Sequence, residues 1–90
     1  MKRAIVTVIG KDRVGIIYEV SKCLAKSNIN IMDISQTTQH DYFIMMMFVD
    51  IMEMTVTFKD ISDELEKLGD SIGLQIKIQR EEIFDSMHRI

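Results

Sequence analysis

The stretch of this chain best equipped for chemistry is Gly10-Lys11-Asp12-Arg13-Val14-Gly15-Ile16-Ile17. It joins a β-branched apolar run to an apolar helical stripe, so it sets polar groups and backbone amides at the mouth of a helix. Asp12 can accept backbone N–H bonds at the helix start. Gly15 lets another backbone, or a ligand, approach closely. The N–H groups of Gly15 and Ile16, with the helix dipole behind them, favour a carboxylate. Asp12 can meanwhile pair with an ammonium group. Together these groups complement the two ends of an α-amino acid. The same residues also make a plain capped helix after a tight turn, and the loop alone does not separate the two readings.

Other reactive residue types lack partners at useful spacing. His40 and His88 are the only histidines, and neither has Cys or carboxylate neighbours at metal-ligand spacing. Cys23 sits on a helical stripe, where a small core residue is expected rather than a nucleophile. No CxxC loop is present. Ser21, Ser35 and Thr37 have no evident base, and nothing pairs two carboxylates in one cleft. The Met45-Met46-Met47 run alternates across a strand, so it reads as core filling and not as a soft binding surface. No catalytic residue, metal or cofactor is expected.

The 90 residues suffice for one domain; 47% are hydrophobic, none is proline and four are glycine, so no linker divides the chain. The net charge of −3 argues against a nucleic-acid surface, which wants a basic face. A single cysteine cannot form an internal disulfide and suits a reducing, cytoplasmic setting. The run Ala4 to Ile9 is cut short by Lys11, Asp12 and Arg13, so it reads as a strand and not a secretory leader. No apolar run approaches the ~18 residues of a membrane span.

Periodicity supplies the elements that must hold the loop. Ala4 to Ile9 is a strand ending at Gly10. Ile16, Ile17, Val20, Cys23 and Leu24 form a helical stripe, with Asn28 and Asn30 bracketing its exit. Ile29 to Gln39 is a second strand whose polar later half suits a sheet edge. His40-Asp41 is a hairpin tip, and Tyr42 to Val49, apolar on both faces, belongs at the sheet centre. Thr57 can cap a second helix with Asp60 three positions on. Phe58, Ile61, Leu65, Leu68 and Ile72 are its buried stripe, interrupted by Gly69 and closed by Gly73. Leu74, Ile76 and Ile78 mark a half-buried strand, and Glu82 to Ile90 a tail helix with Ile83, Phe84, Met87 and Ile90 on one side.

The order is βαββαβ, the ferredoxin-like α+β arrangement: a four-stranded antiparallel sheet with two helices on one face. One apolar face of the central strand, either Ile44, Met46 and Phe48 or the alternate set, then needs a cover. A partner subunit and the tail are both candidates.

The loop from Gly10 to Ile17, followed by the Asn30-Ile31 pair opening the second strand, resembles the ACT domain family. The resemblance runs from about Lys2 to Arg80, giving an ACT-like domain over 1–80 and a tail over 81–90. The tail Ile83-Phe84-Asp85-Ser86-Met87-His88-Arg89-Ile90 is similar to that of short stand-alone bacterial members, and the loop also looks like that of the ACT modules of glycine-cleavage regulators. The resemblance implies a non-enzymatic regulatory domain that binds a small effector, an amino acid, between two subunits of a homodimer or larger homo-oligomer, and acts on a protein partner. It assigns ligand contacts to Asp12, Arg13, Gly15 and Ile16 of one chain and to Asn30 and Ile31 of its neighbour. Asn30 offers a donor and an acceptor, and equally suits a helix stop. Two departures stand out: Val14 replaces the family's proline, and Gly10 has no side chain where serine-sensing members carry histidine. A protein-interaction module with no small ligand is the alternative.

Overall fold

The computed structural model of the protein describes residues 1–87. Its elements are β1 (Arg3–Lys11), α1 (Ile16–Lys26), β2 (Asn30–Gln39), β3 (Tyr42–Asp50), α2 (Phe58–Ile72), β4 (Leu74–Arg80) and α3 (Glu81–Met87). The four strands form one antiparallel sheet in the order β2-β3-β1-β4, the expected ferredoxin-like topology. β2 is an edge strand and β3 an interior one, as their polar and apolar patterns require.

Strand alternation divides the sheet into two faces. Ala4, Val6 and Val8 of β1 join Phe43, Met45, Met47 and Val49 of β3 and Leu74, Ile76 and Ile78 of β4 in the buried core. Against them pack Ile16, Val20 and Leu24 of α1 and Ile61 and Leu65 of α2. Ile17, assigned from spacing to the α1 stripe, instead lies exposed at the helix mouth, and Cys23 is only partly buried. The set left on the opposite face is therefore Ile44, Met46 and Phe48.

Local chemistry fixes the ends of these elements. Thr57 caps α2, its Oγ1 accepting from the Asp60 amide at 3.1 Å. Gly73 ends that helix in the left-handed region at φ 74°, donating its amide to Gly69. Asn28, at φ 58°, closes α1, and its side-chain amide donates to the Glu53 carbonyl at 2.9 Å. His40 and Asp41 both have positive φ, so the β2–β3 tip turns with the hand that matches strand twist.

Two glycines depart from the sequence reading. Gly10 does not end β1: the strand runs on to Lys11, with Gly10 paired to Phe43 and Leu74. A Cβ there would collide with the Leu74 side chain and lie 3.3 Å from the Gly73 carbonyl oxygen. Gly69 does not interrupt α2; it is buried where the helix crosses β4.

α3 starts directly after β4, one residue before the sequence suggests, and packs against β1 and β4. Ile5, which alternation places on the face without α1 and α2, is only 2% exposed. Among the described residues, α3 is the element that covers it. Phe84 is half-buried, whereas Ile83 points outward at 50% exposure, so these two do not share one buried side. Ile90, the last residue of the tail pattern, lies outside the described residues.

Candidate functional site

The loop between β1 and α1 opens onto a cleft of about 270 Å3. Asp12, Arg13, Gly15 and Ile16 line one side, with Ile17 and Tyr18 of the first helical turn; Gln36 and Thr38 of β2 and Phe43 of β3 line the other. Four of the six expected site residues thus meet in one place.

How the helix begins differs from expectation. Asp12 does not cap α1. The N-cap is Gly15, in the left-handed region at φ 91°, and no side chain bonds to the helix start. Gly15 is three residues further along, and its conformation turns the chain into the helix without a polar cap. The first helical hydrogen bond runs from the Glu19 amide to the Gly15 carbonyl at 2.9 Å. The amides of Ile16, Ile17 and Tyr18 therefore precede the helical ladder and have no intrahelical acceptor. With the dipole behind them, they form an anion-favouring mouth.

Asp12 is left exposed beside that mouth. Its backbone amide donates to the Asp41 carbonyl at 2.9 Å, which ties the loop to the hairpin tip. Arg13 lines the cleft, but its Nη1 donates to the Ile72 carbonyl at the end of α2, at 3.3 Å. Its guanidinium thus anchors the loop from the other side. Nothing lies within 4 Å of a Cβ built on Gly15, so the space over this residue is open.

Asn30 and Ile31 are elsewhere. They open β2, paired with Asp50 and Val49, while Gln36 and Thr38 pair with Met45 and Phe43 near its far end. Eight residues separate Asn30 from Thr38, roughly 26 Å of strand. One chain does not bring Asn30 to its own Gly15 loop. A bulge at Met32, between Ile31 and Asp33, shifts the register near the strand's start.

Gln36 and Thr38 are the lining residues that sequence reasoning missed. Both occupy the helix-facing side of β2, in alternation with Ile31 and Ile34, where an apolar pair would be ordinary. Their polarity on that side is the signal: both stay exposed, across the cleft from the first turn of α1.

Other groups form no comparable site. The Cys23 thiol sits between α1 and α2, with Sγ 4.0 Å from Glu64 Oε2. Burial, and then the Glu64 charge, push its pKa up, leaving less thiolate than an ordinary cysteine has. Among the described residues, no three His, Cys, Asp or Glu side chains converge as metal ligands. None of the described helices is long and apolar enough to cross a membrane.

This chain belongs to the ACT domain family, whose model matches residues 2–79, a family of regulatory domains that commonly bind amino acids. A UPF0237 protein of Methanocaldococcus jannaschii is 50% identical over 90 residues, spanning all of both chains. The solved ACT domain protein from Streptococcus pneumoniae matches with a TM-score of 0.80 at 39% identity, over 93% of this chain and 94% of that one. A structure assigned as a glycine cleavage system transcriptional repressor shares the fold, with a TM-score of 0.71 at 23% identity, over 88% of this chain and 45% of that one.

Proposed function

We propose that this protein is a non-enzymatic sensor that binds a small α-amino acid at a boundary between two of its own subunits. The observation that carries this reading is the uncapped start of α1 at Gly15, beside the exposed Asp12 carboxylate. The ligand carboxylate lies on the Ile16 and Ile17 amides, and its ammonium group faces Asp12. Gln36 and Thr38 meet the ligand side chain. Asn30 and Ile31 of a neighbouring subunit close the cleft from outside, since their own loop is a strand-length away. Ligand occupancy then alters subunit geometry, and a regulated protein partner reads that change. A cytoplasmic setting suits a chain whose one cysteine is free.

Thermal melts against a panel of amino acids test this. A ligand at a hundred times its dissociation constant adds about 2.7 kcal/mol. At roughly 4–8 °C per kcal/mol for a domain of this size, that is a rise of about 10 °C or more. Asn30→Ala abolishes the rise, and Gly15→Ala abolishes it where the strained residue rotates the helix mouth. No rise with any amino acid at millimolar concentration supports the second reading, an oligomerisation module without a small ligand. The apolar residues Ile9, Tyr42 and Ile44, exposed on the sheet, favour that alternative.

A further inference from the structure

The row of side chains that β2 turns toward the helices changes character along its length. Ile31 pairs with Val49 and Ile34 with Met47, then Gln36 with Met45 and Thr38 with Phe43. Val49, Met47, Met45 and Phe43 are all buried, so the β3 side of this row is apolar throughout. On β2 the row turns polar where it stands beside the β1–α1 loop. Gln36 and Thr38 are both exposed, and neither side chain is bonded to another described residue. The Gln36 amide carries donors and an acceptor, and the Thr38 hydroxyl serves as either. Phe43, 5% exposed, gives the cleft an apolar floor. Free hydrogen-bonding capacity thus stands over an apolar base, across the cleft from the Ile16 and Ile17 amides.

The charges of the cleft already have work to do. Of the described lining residues, Asp12 and Arg13 are the charged ones. Arg13 donates through Nη1 to the Ile72 carbonyl at 3.3 Å, and α2 has no basic residue of its own in its last turn. Its guanidinium therefore serves the negative end of that helix. Asp12 is left to face the ligand's ammonium group.

We infer that Gln36 and Thr38 select the ligand's side chain, and that this side chain is neutral and hydrogen-bonding: a hydroxyl or a carboxamide, as in threonine or asparagine. The selection rests on the α1 mouth as the seat of the ligand's carboxylate and ammonium group. An apolar side chain strips water from the Gln36 amide and the Thr38 hydroxyl and returns no bond. A hydroxyl or carboxamide returns it. An acidic side chain brings a second carboxylate beside Asp12 with no uncommitted cation to meet it. A basic one finds Asp12 already facing the ammonium group.

Titration calorimetry on the full chain, with ligands of matched shape, tests this. Threonine and valine exchange a hydroxyl for a methyl group; asparagine and leucine exchange a carboxamide for a branched alkyl group. Aspartate matches asparagine in shape but carries a charge. Glycine, without a side chain, reports on the α1 mouth alone. Threonine binds about tenfold more tightly than valine, and asparagine about tenfold more tightly than leucine, as one net hydrogen bond gives. Asparagine also binds more tightly than aspartate. Gln36→Leu and Thr38→Val, combined in one chain, bring the first two ratios close to one. A merely structural loss weakens both members of a pair alike and leaves the ratios intact. Valine and leucine bound as tightly as their polar counterparts, a preference for aspartate, or ratios that survive the double change overturn the proposal. If the double variant loses its circular dichroism, Gln36→Lys decides: a cation there turns the preference from asparagine to aspartate, and an unaltered preference contradicts the selection. Glycine binding with no preference among the others sinks the selection and leaves the α1 mouth standing. No binding by glycine or any other amino acid tested sinks both.

Discussion

The Asp12 amide donates to the Asp41 carbonyl at 2.9 Å, so the cleft loop hangs from the tip of the β2–β3 hairpin. Asp41 is held at φ 72° and His40 at φ 52°, both in the left-handed region. Two consecutive non-glycine residues there cost backbone energy that Asn-Gly avoids. The double change His40→Asn with Asp41→Gly should stabilise the domain by about 1 kcal/mol, roughly 4–8 °C in melting temperature. Ligand affinity should stay unchanged, because residue 41 holds the loop through its backbone carbonyl and not its side chain.

Gly15→Ala is a different case. Space for the methyl group exists, but φ 91° does not suit an L residue. The expected cost is roughly 1–2 kcal/mol from backbone strain alone. Either the residue keeps its conformation at that cost or the helix mouth rotates, and the second outcome removes the ligand response as well. Urea denaturation, with and without ligand, separates the two effects.

Gly69→Ala sets two opposed terms against each other. Alanine gains about 1 kcal/mol in helix propensity over glycine. Its Cβ would lie 2.5 Å from the Leu74 carbonyl oxygen and 3.2 Å from Ile76 Cγ1. A backbone carbonyl in a paired strand cannot swing aside, and overpacking of this kind costs roughly 1–3 kcal/mol. The clash wins, and the urea midpoint should fall.

The Cys23 thiol should alkylate slowly at pH 8, because burial and the Glu64 charge both raise its pKa and only the thiolate reacts. Glu64→Gln removes the second cause, lowers the pKa and increases the thiolate fraction. The rate with iodoacetamide at pH 8 should rise roughly threefold. An unchanged rate means that burial alone governs the thiol.

Much of the frame was legible in the residues. The run Tyr42 to Val49, apolar on both faces, announced a central strand, the alternation in Leu74 to Ile78 a half-buried one, and Thr57 with Asp60 a capped helix, because each of these signals is local. Most of the misread positions depend on contacts distant in sequence. Gly10 looks like a strand end, yet it is needed inside β1 because Leu74 fills the space beside it. Asp12 looks like a cap, yet a left-handed glycine does that work without any polar side chain to announce it. Gln36 and Thr38 look like ordinary edge-strand polarity until α1 is placed and leaves them uncovered beside the loop. Ile83 and Phe84 look like neighbours on one buried side, but a short helix leaving β4 can turn only one of them toward Ile5.

The most direct test of the central claim is to follow individual backbone amides by two-dimensional NMR while an amino acid that raises the melting temperature is titrated in. Binding at the α1 mouth predicts that the signals of Ile16, Ile17 and Tyr18 move together with that of Asn30, and that all four saturate at one ligand concentration. Saturating shifts confined to other residues, with these four unmoved, contradict the account.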